Sequence, residues 1–195
     1  RRGAVLLGTG EEVKVALTYG SLTGLTNTIP IKIKTLPAIA PIPGTLSTCE
    51  TGTTTLGNPT AGGTWSSADM SIATVNATTG VVTGVATGIV NIIYTTTPNG
   101  DGCTNSTSAS VTVNAPPTVA PITGNVNICT TTTSQFSDAT VGTTNVWGSD
   151  NMAVATVDAT TGLVTGVAPG TANISYTVTD ANGCTKMNTT SVTAT

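Results

Sequence analysis

Val154–Gly170 reads VATVDATTGLVTGVAPG, and Ile72–Gly88 reads IATVNATTGVVTGVATG. A near-copy at a fixed distance marks a repeated structural unit. Working outward, Trp65 aligns with Trp147, Met70 with Met152, Gly80 with Gly162, Gly84 with Gly166 and Tyr94 with Tyr176. Cys49 aligns with Cys129 and Cys103 with Cys184, and upstream APIPG, ending at Gly44, aligns with APITG, ending at Gly124. The unit is about 80 residues long, which is domain-sized rather than a short solenoid repeat.

Within the unit the patterning is that of short strands. In TANISYTV, Ala172, Ile174, Tyr176 and Val178 alternate with Thr171, Asn173, Ser175 and Thr177. A period of two with one apolar face is a half-buried strand. Pro169-Gly170 before it and Asp180-Ala-Asn-Gly183 after it read as a turn and a hairpin loop. About seven such strands in a unit with one Trp and two Cys predict a small antiparallel sandwich.

The phrase VATVDATTGLVTGVAPGTANISYTV resembles the bacterial immunoglobulin-like domain, group 2. The resemblance covers both copies. It implies an all-β fold of tandem Ig-like antiparallel β-sandwiches, of the kind that serves as spacers and stalks in intimin- and invasin-like surface proteins. The Thr-rich, Cys-bearing version is similar to repetitive surface proteins of Bacteroidota.

Composition agrees with a non-catalytic role. Charged residues make up 8% of the 195 residues, aromatics 3%, and histidine is absent. Without histidine the usual general base and the Ser-His and Cys-His pairs are missing. Glu11 and Glu12 are adjacent, so on a strand they face opposite ways. Asp69, Asp101, Asp150 and Asp180 stand in turn-like contexts and serve to shape turns. A calcium ion held at a unit junction by Asp101 or Asp180 is the alternative use. No cofactor and no metal site are expected. Apolar stretches are broken before the ~18 residues of a spanning helix, so no membrane insertion is expected. The net charge is −3, divided into +3 over residues 1–44 and −6 over residues 45–195. Five basic residues without an aromatic-rich face do not make a nucleic-acid surface. Four Asn-X-Ser/Thr matches, at Asn76, Asn105, Asn173 and Asn188, arise freely in so Thr-rich a chain.

Four cysteines allow three pairings. Each unit owns two at matching places, so pairing within units (Cys49–Cys103 and Cys129–Cys184) is the first expectation. The alternative joins Cys103 to Cys129 across the junction and leaves Cys49 and Cys184 for each other or for a neighbour. Paired cysteines place the chain in an oxidising compartment, outside the cytoplasm.

Residues 1–37 form a partial unit. IPIKIKTLPAIAPIPG aligns with SVTVNAPPTVAPITG, so Ile31 meets Val111 and Ile33 meets Val113. Residues 11–18 and 29–36 are expected as strands with Val13, Val15, Leu17, Ile31 and Ile33 on one apolar side and Lys14, Lys32 and Lys34 on the other. Two or three such strands are not stable alone. The expected organisation is therefore a partial unit or set of interface strands (1–37), a first sandwich (38–115) and a second (116–195). The leading functional expectation is a structural subunit of an extracellular bacterial surface filament, joined head-to-tail to other copies of itself through that N-terminal apolar side. The alternatives are a spacer or stalk segment of a large adhesin, in contact with further repeats of the same chain, and an accessory module of a secreted enzyme.

Overall fold

The computed structural model describes residues 13–16, 28–31, 34–140 and 142–195. The described residues form strands and no helix, as the abundance of β-branched Thr, Val and Ile favours. β1 (Val13–Ala16) and β2 (Thr28–Ile31) form an antiparallel hairpin. The first unit comprises β3 (Ser47–Cys49), β4 (Thr53–Thr55), β5 (Thr64–Ser67), β6 (Ala73–Val75), β7 (Val81–Gly84), β8 (Gly88–Thr95) and β9 (Ser106–Asn114). The second repeats it as β10 (Asn127–Ile128), β11 (Thr133–Gln135), β12 (Thr144–Ser149), β13 (Ala155–Val157), β14 (Leu163–Gly166), β15 (Gly170–Thr179) and β16 (Thr185–Ala194).

Each unit is a sandwich of a four-stranded and a three-stranded sheet. The orders are β3-β9-β8-β5 with β4-β7-β6, and β10-β16-β15-β12 with β11-β14-β13. In both units the first strand runs parallel to the last, and every other pairing is antiparallel. The first strand then crosses to the other sheet, where Glu50 bridges Gly84 and Thr130 bridges Gly166. A Cβ at Gly84 would stand 2.4 Å from the Cys49 carbonyl oxygen, and one at Gly166 would stand 2.7 Å from that of Cys129. Only glycine allows the crossing strand to come so close, which fixes both cysteines at one end of their sandwiches.

The repeated phrase supplies the small sheet and its turn. Asn76 Oδ1 accepts the backbone N–H groups of Thr78 and Thr79, and Asp158 Oδ1 accepts those of Thr160 and Thr161. Gly80 and Gly162 follow at φ of 71° and 73°. Their bare α-carbons lie against Trp65 and Trp147, since a Cβ would approach the indoles to 3.0 and 2.8 Å.

The inward faces are those that the alternation predicts. Val90, Ile92 and Tyr94 are buried in β8, as are Ala172, Ile174, Tyr176 and Val178 in β15. Trp65 lies opposite Tyr94 and Trp147 opposite Tyr176, with ring centroids 4.7 and 4.5 Å apart. Each unit closes a separate core. Leu56 fills in the first the place that Phe136 fills in the second.

Candidate functional site at the unit junction

The strand directions give each sandwich two distinct poles. At the exit pole of the first unit, β3 ends beside the end of β9: Cys49 lies opposite Asn114, and the Glu50 N–H donates to the Asn114 carbonyl at 3.0 Å. At the entry pole lies the hairpin between β8 and β9, which carries Cys103. Asn99 Oδ1 shapes this hairpin by accepting the N–H groups of Asp101 and Cys103. The incoming chain runs over the same pole: Asn99 Nδ2 donates to Thr35 O at 2.7 Å, Asn105 Nδ2 to Pro37 O at 2.9 Å, and Lys34 Nζ to Asp101 O at 2.6 Å.

The second unit has the same plan. Asp180 Oδ1 accepts the N–H groups of Asn182 and Cys184, so the carboxylate does in this hairpin what the Asn99 amide does in the first. Asn188 Nδ2 donates to Ala120 O of the incoming linker at 2.9 Å. Cys129 stands at the exit pole, where the Thr130 N–H donates to Thr195 O at 2.8 Å.

This polarity decides the cysteine pairing. The expected bonds within units are not formed: Cys49 is joined to Cys184, while Cys103 and Cys129 are free. The physical reason is strand length. Along β9 the two poles of the first unit are about 26 Å apart, at ~3.3 Å per residue, whereas a disulfide needs α-carbons within about 7 Å. The Cys49 and Cys184 α-carbons are 5.6 Å apart because the exit pole of one unit meets the entry hairpin of the next. The Cys184 sulfur is buried 4.0 Å from the Asn114 carbonyl oxygen, at the point where the chain leaves the first unit. The Cys49–Cys184 half of the alternative pairing is thus present, while its Cys103–Cys129 half is absent.

Charge supports the same contact. The Glu50 carboxyl is held below its ordinary range chiefly by the Thr87 hydroxyl and backbone N–H, at 2.6 and 2.9 Å, with the Lys186 ammonium of the second unit adding to the effect. Asp101 and Asp180, the calcium candidates, lie in the entry hairpins of the first and second units. Among the described residues no group of three or more Cys, Asp or Glu side chains could hold a metal ion.

Elsewhere the surface offers little chemistry. An open cleft of about 520 Å³ runs past Asn58, Gly62, Trp65, Thr79 and Tyr94. The Tyr94 hydroxyl is engaged there, donating to Thr60 O and accepting the Gly63 N–H at 2.8 Å. Among the described residues no helix is long and apolar enough to cross a membrane.

Of the expected interface residues, β1 contains Val13 and Val15 and β2 contains Ile31, with Val13 paired to Ile31 and Val15 to Ile29. Leu17 and Ile33 lie outside the described residues. The expected strand over 29–36 is shorter than predicted: Lys34–Leu36 have no strand pairing.

The sequence model of the bacterial Ig-like domain (group 2) matches residues 107–188, a window that opens inside β9 and closes inside β16. Over that window the chain is similar to bacterial Ig-like domains of group 2. No curated protein matches the chain. Among solved structures, domains 4 and 5 of the S-layer protein SbsC are similar at 16% identity, covering 81% of this chain and 99% of that one, with a TM-score of 0.36. A structure of SbsC domains 1–6 is similar at 17% identity over 94% of this chain and 32% of that one, with a TM-score of 0.35. The C-terminal 282-residue fragment of intimin, solved with the intimin-binding domain of its translocated receptor, is similar at 15% identity over 81% of this chain and 64% of that one, with a TM-score of 0.38.

Proposed function

We propose that this chain is a non-catalytic stalk segment of an extracellular bacterial surface protein, in which Ig-like units are locked pole to pole. The disulfide between Cys49 and Cys184 carries this reading. It contributes nothing to the closure of either core, since each core closes within its own unit. What it does constrain is the hinge between them, the linker through Ala115, Pro116 and Pro117. Structural disulfides form and persist in oxidising compartments and are rare in the cytosol, and stiffening a junction is useful to a protein that holds something away from a surface. Labelling intact source cells with antibody against this chain tests the reading. Signal on intact cells is expected, and signal that appears only after lysis would overturn it.

A second reading is a filament subunit that assembles head-to-tail with other copies through its N-terminal strands. The observation that favours it is the hairpin of β1 and β2, which pairs with no other strand among the described residues. Two strands alone are not stable in water. In this reading Val13, Val15, Leu17, Ile31 and Ile33 contact another copy. Electron microscopy of the intact chain beside a chain lacking residues 1–36 separates the two readings. Fibres that vanish on deletion support the filament, and dispersed particles in both preparations leave the stalk.

A further inference from the structure

We propose that Cys103 and Cys129 are the open halves of the same inter-unit disulfide, each reserved for the complementary cysteine of a neighbouring Ig-like unit in series. Cys129 takes the entry-hairpin cysteine of a following unit, and Cys103 takes the exit-pole cysteine of a preceding one.

The internal repeat supplies a formed example of this bond. Cys129 occupies in the second unit the place that bonded Cys49 occupies in the first, and the surroundings agree bond for bond. The residue after the cysteine donates its N–H to the end of the last strand, Glu50 to Asn114 O and Thr130 to Thr195 O, at 3.0 and 2.8 Å. The next residue has a positive φ, 62° at Thr51 and 65° at Thr131, and donates to the glycine carbonyl of the small sheet, at Gly84 and Gly166. Gly52 and Thr132 then donate back to the carbonyls of Cys49 and Cys129. A backbone held this way presents Cys129 toward the point where the chain leaves the unit, and its side chain is exposed.

At the other pole, Cys103 matches bonded Cys184. Each takes its backbone N–H to the side chain that opens its hairpin, Asn99 or Asp180, at 3.0 and 2.8 Å. Incoming chain crosses both hairpins. Asn114 lies against Cys184, and by the repeat alignment its counterpart is Lys34, which donates to Asp101 in the Cys103 hairpin. A preceding unit that ends near Lys34 would bring its exit-pole cysteine to Cys103 as Cys49 is brought to Cys184.

The occupant is a unit in series rather than a second copy docked on an intact end. The space at the Cys103 hairpin is already crossed by residues 34–37 of the chain itself, and the end of another copy's β16 would have to occupy it. Forming each bond joins two sulfurs and releases two protons and two electrons. A small-molecule or protein disulfide accepts them and becomes two thiols. The inference rests on the stalk reading only for the oxidising compartment.

The test lengthens the full chain by appending a second copy of residues 115–195 after Thr195, which matches Asn114, refolds it in a glutathione redox buffer and maps its disulfides without reduction. Cys129 is expected to be linked to the appended counterpart of Cys184. Alkylation should still find two thiols per chain, as in the parent, but now Cys103 and the appended counterpart of Cys129. A free Cys129, or Cys129 linked to Cys103 of another copy, would overturn the inference. Should the appended unit fail to fold, the C49S chain gives an independent answer. It should show three alkylated cysteines, and a new Cys129–Cys184 bond would overturn the inference, because it would show that the two poles of one unit can meet. The refolding result does not depend on where the cell places the protein, so a failure of surface labelling and a failure of this bond are separate outcomes.

Discussion

The two sandwiches share a topology and nearly share a key phrase, yet they differ in how each contact is filled. The first unit packs Leu56 where the second packs Phe136, caps its turn with Asn76 where the second uses Asp158, and opens its hairpin with Asn99 where the second uses Asp180. The backbone N–H groups accepted by these unlike polar side chains are the same. The fold therefore asks for an acceptor oxygen two residues before a given N–H and for an apolar group of sufficient volume under the indole. It is indifferent to whether the acceptor is charged. The largest contrast concerns the cysteines, because the two units use opposite halves of their pairs: the first is bonded through its exit pole and the second through its entry pole.

The largest effect should come from the paired indoles. W147A should cost about 3–5 kcal/mol, as for large aromatic truncations generally, and W65A should do the same in its own unit. Because the cores are separate, each change should melt one sandwich and leave the other tryptophan's fluorescence transition in place. A single shared transition in both variants would show that the units fold as one body.

Next comes the junction. C184S or C49S removes a crosslink between residues 135 apart, and loss of a native disulfide typically costs about 2–4 kcal/mol. Here the loss should appear mainly as freedom between the units, read by small-angle scattering as a broader distribution of sizes, with a smaller change in each unit's melting. Equal scattering with and without the bond would mean that the linker and the Glu50–Lys186 attraction hold the junction unaided.

A smaller cost is expected at the turn glycines. G162A places a Cβ 2.7 Å from Phe136 O and 2.8 Å from the Trp147 ring at a positive φ, for roughly 1–3 kcal/mol of backbone strain. G80A should cost slightly more or less according to how far the smaller Leu56 lets the indole retreat. Denaturant midpoints of the two variants, read unit by unit, measure that difference.

The smallest effect concerns charge. The Asp158 carboxyl is held below its ordinary range by the Thr161 backbone N–H first, then by the Thr161 hydroxyl and the Thr160 N–H. A carboxyl lowered in the folded state contributes stability above its unfolded value and loses it as pH falls through the folded value. The Asp158 turn should therefore weaken in acid, whereas the Asn76 turn should not. D158N should lower the second unit's melting temperature slightly at neutral pH and remove part of its drop in acid. Parallel pH profiles for wild type and D158N would count against this account.

Much of the molecule is legible without coordinates. The alternation in TANISYTV names the buried side of β15, the repeated glycines name the turns, and the alignments of Trp65 with Trp147 and of Tyr94 with Tyr176 mark equivalent positions in the two units. These are local rules. A period of two sets a face, and a positive φ calls for glycine. The partners of the cysteines follow no local rule. Matching positions in two units suggest pairing within each, and the hairpin residues before Cys103 and Cys184 do mark those two as lying at a loop. Cys49 and Cys129 carry no comparable mark, because what places them at the far pole is a parallel pairing with the last strand, formed across more than sixty residues of intervening chain. Sequence alone determined that there are two Ig-like sandwiches and which side of β15 faces the core, whereas Leu56 and Phe136 emerge as core only in the structure. Only the tertiary structure decided which end of one faces which end of the next, because that depends on strand direction and strand length, and a bond as short as a disulfide can form only where two ends meet.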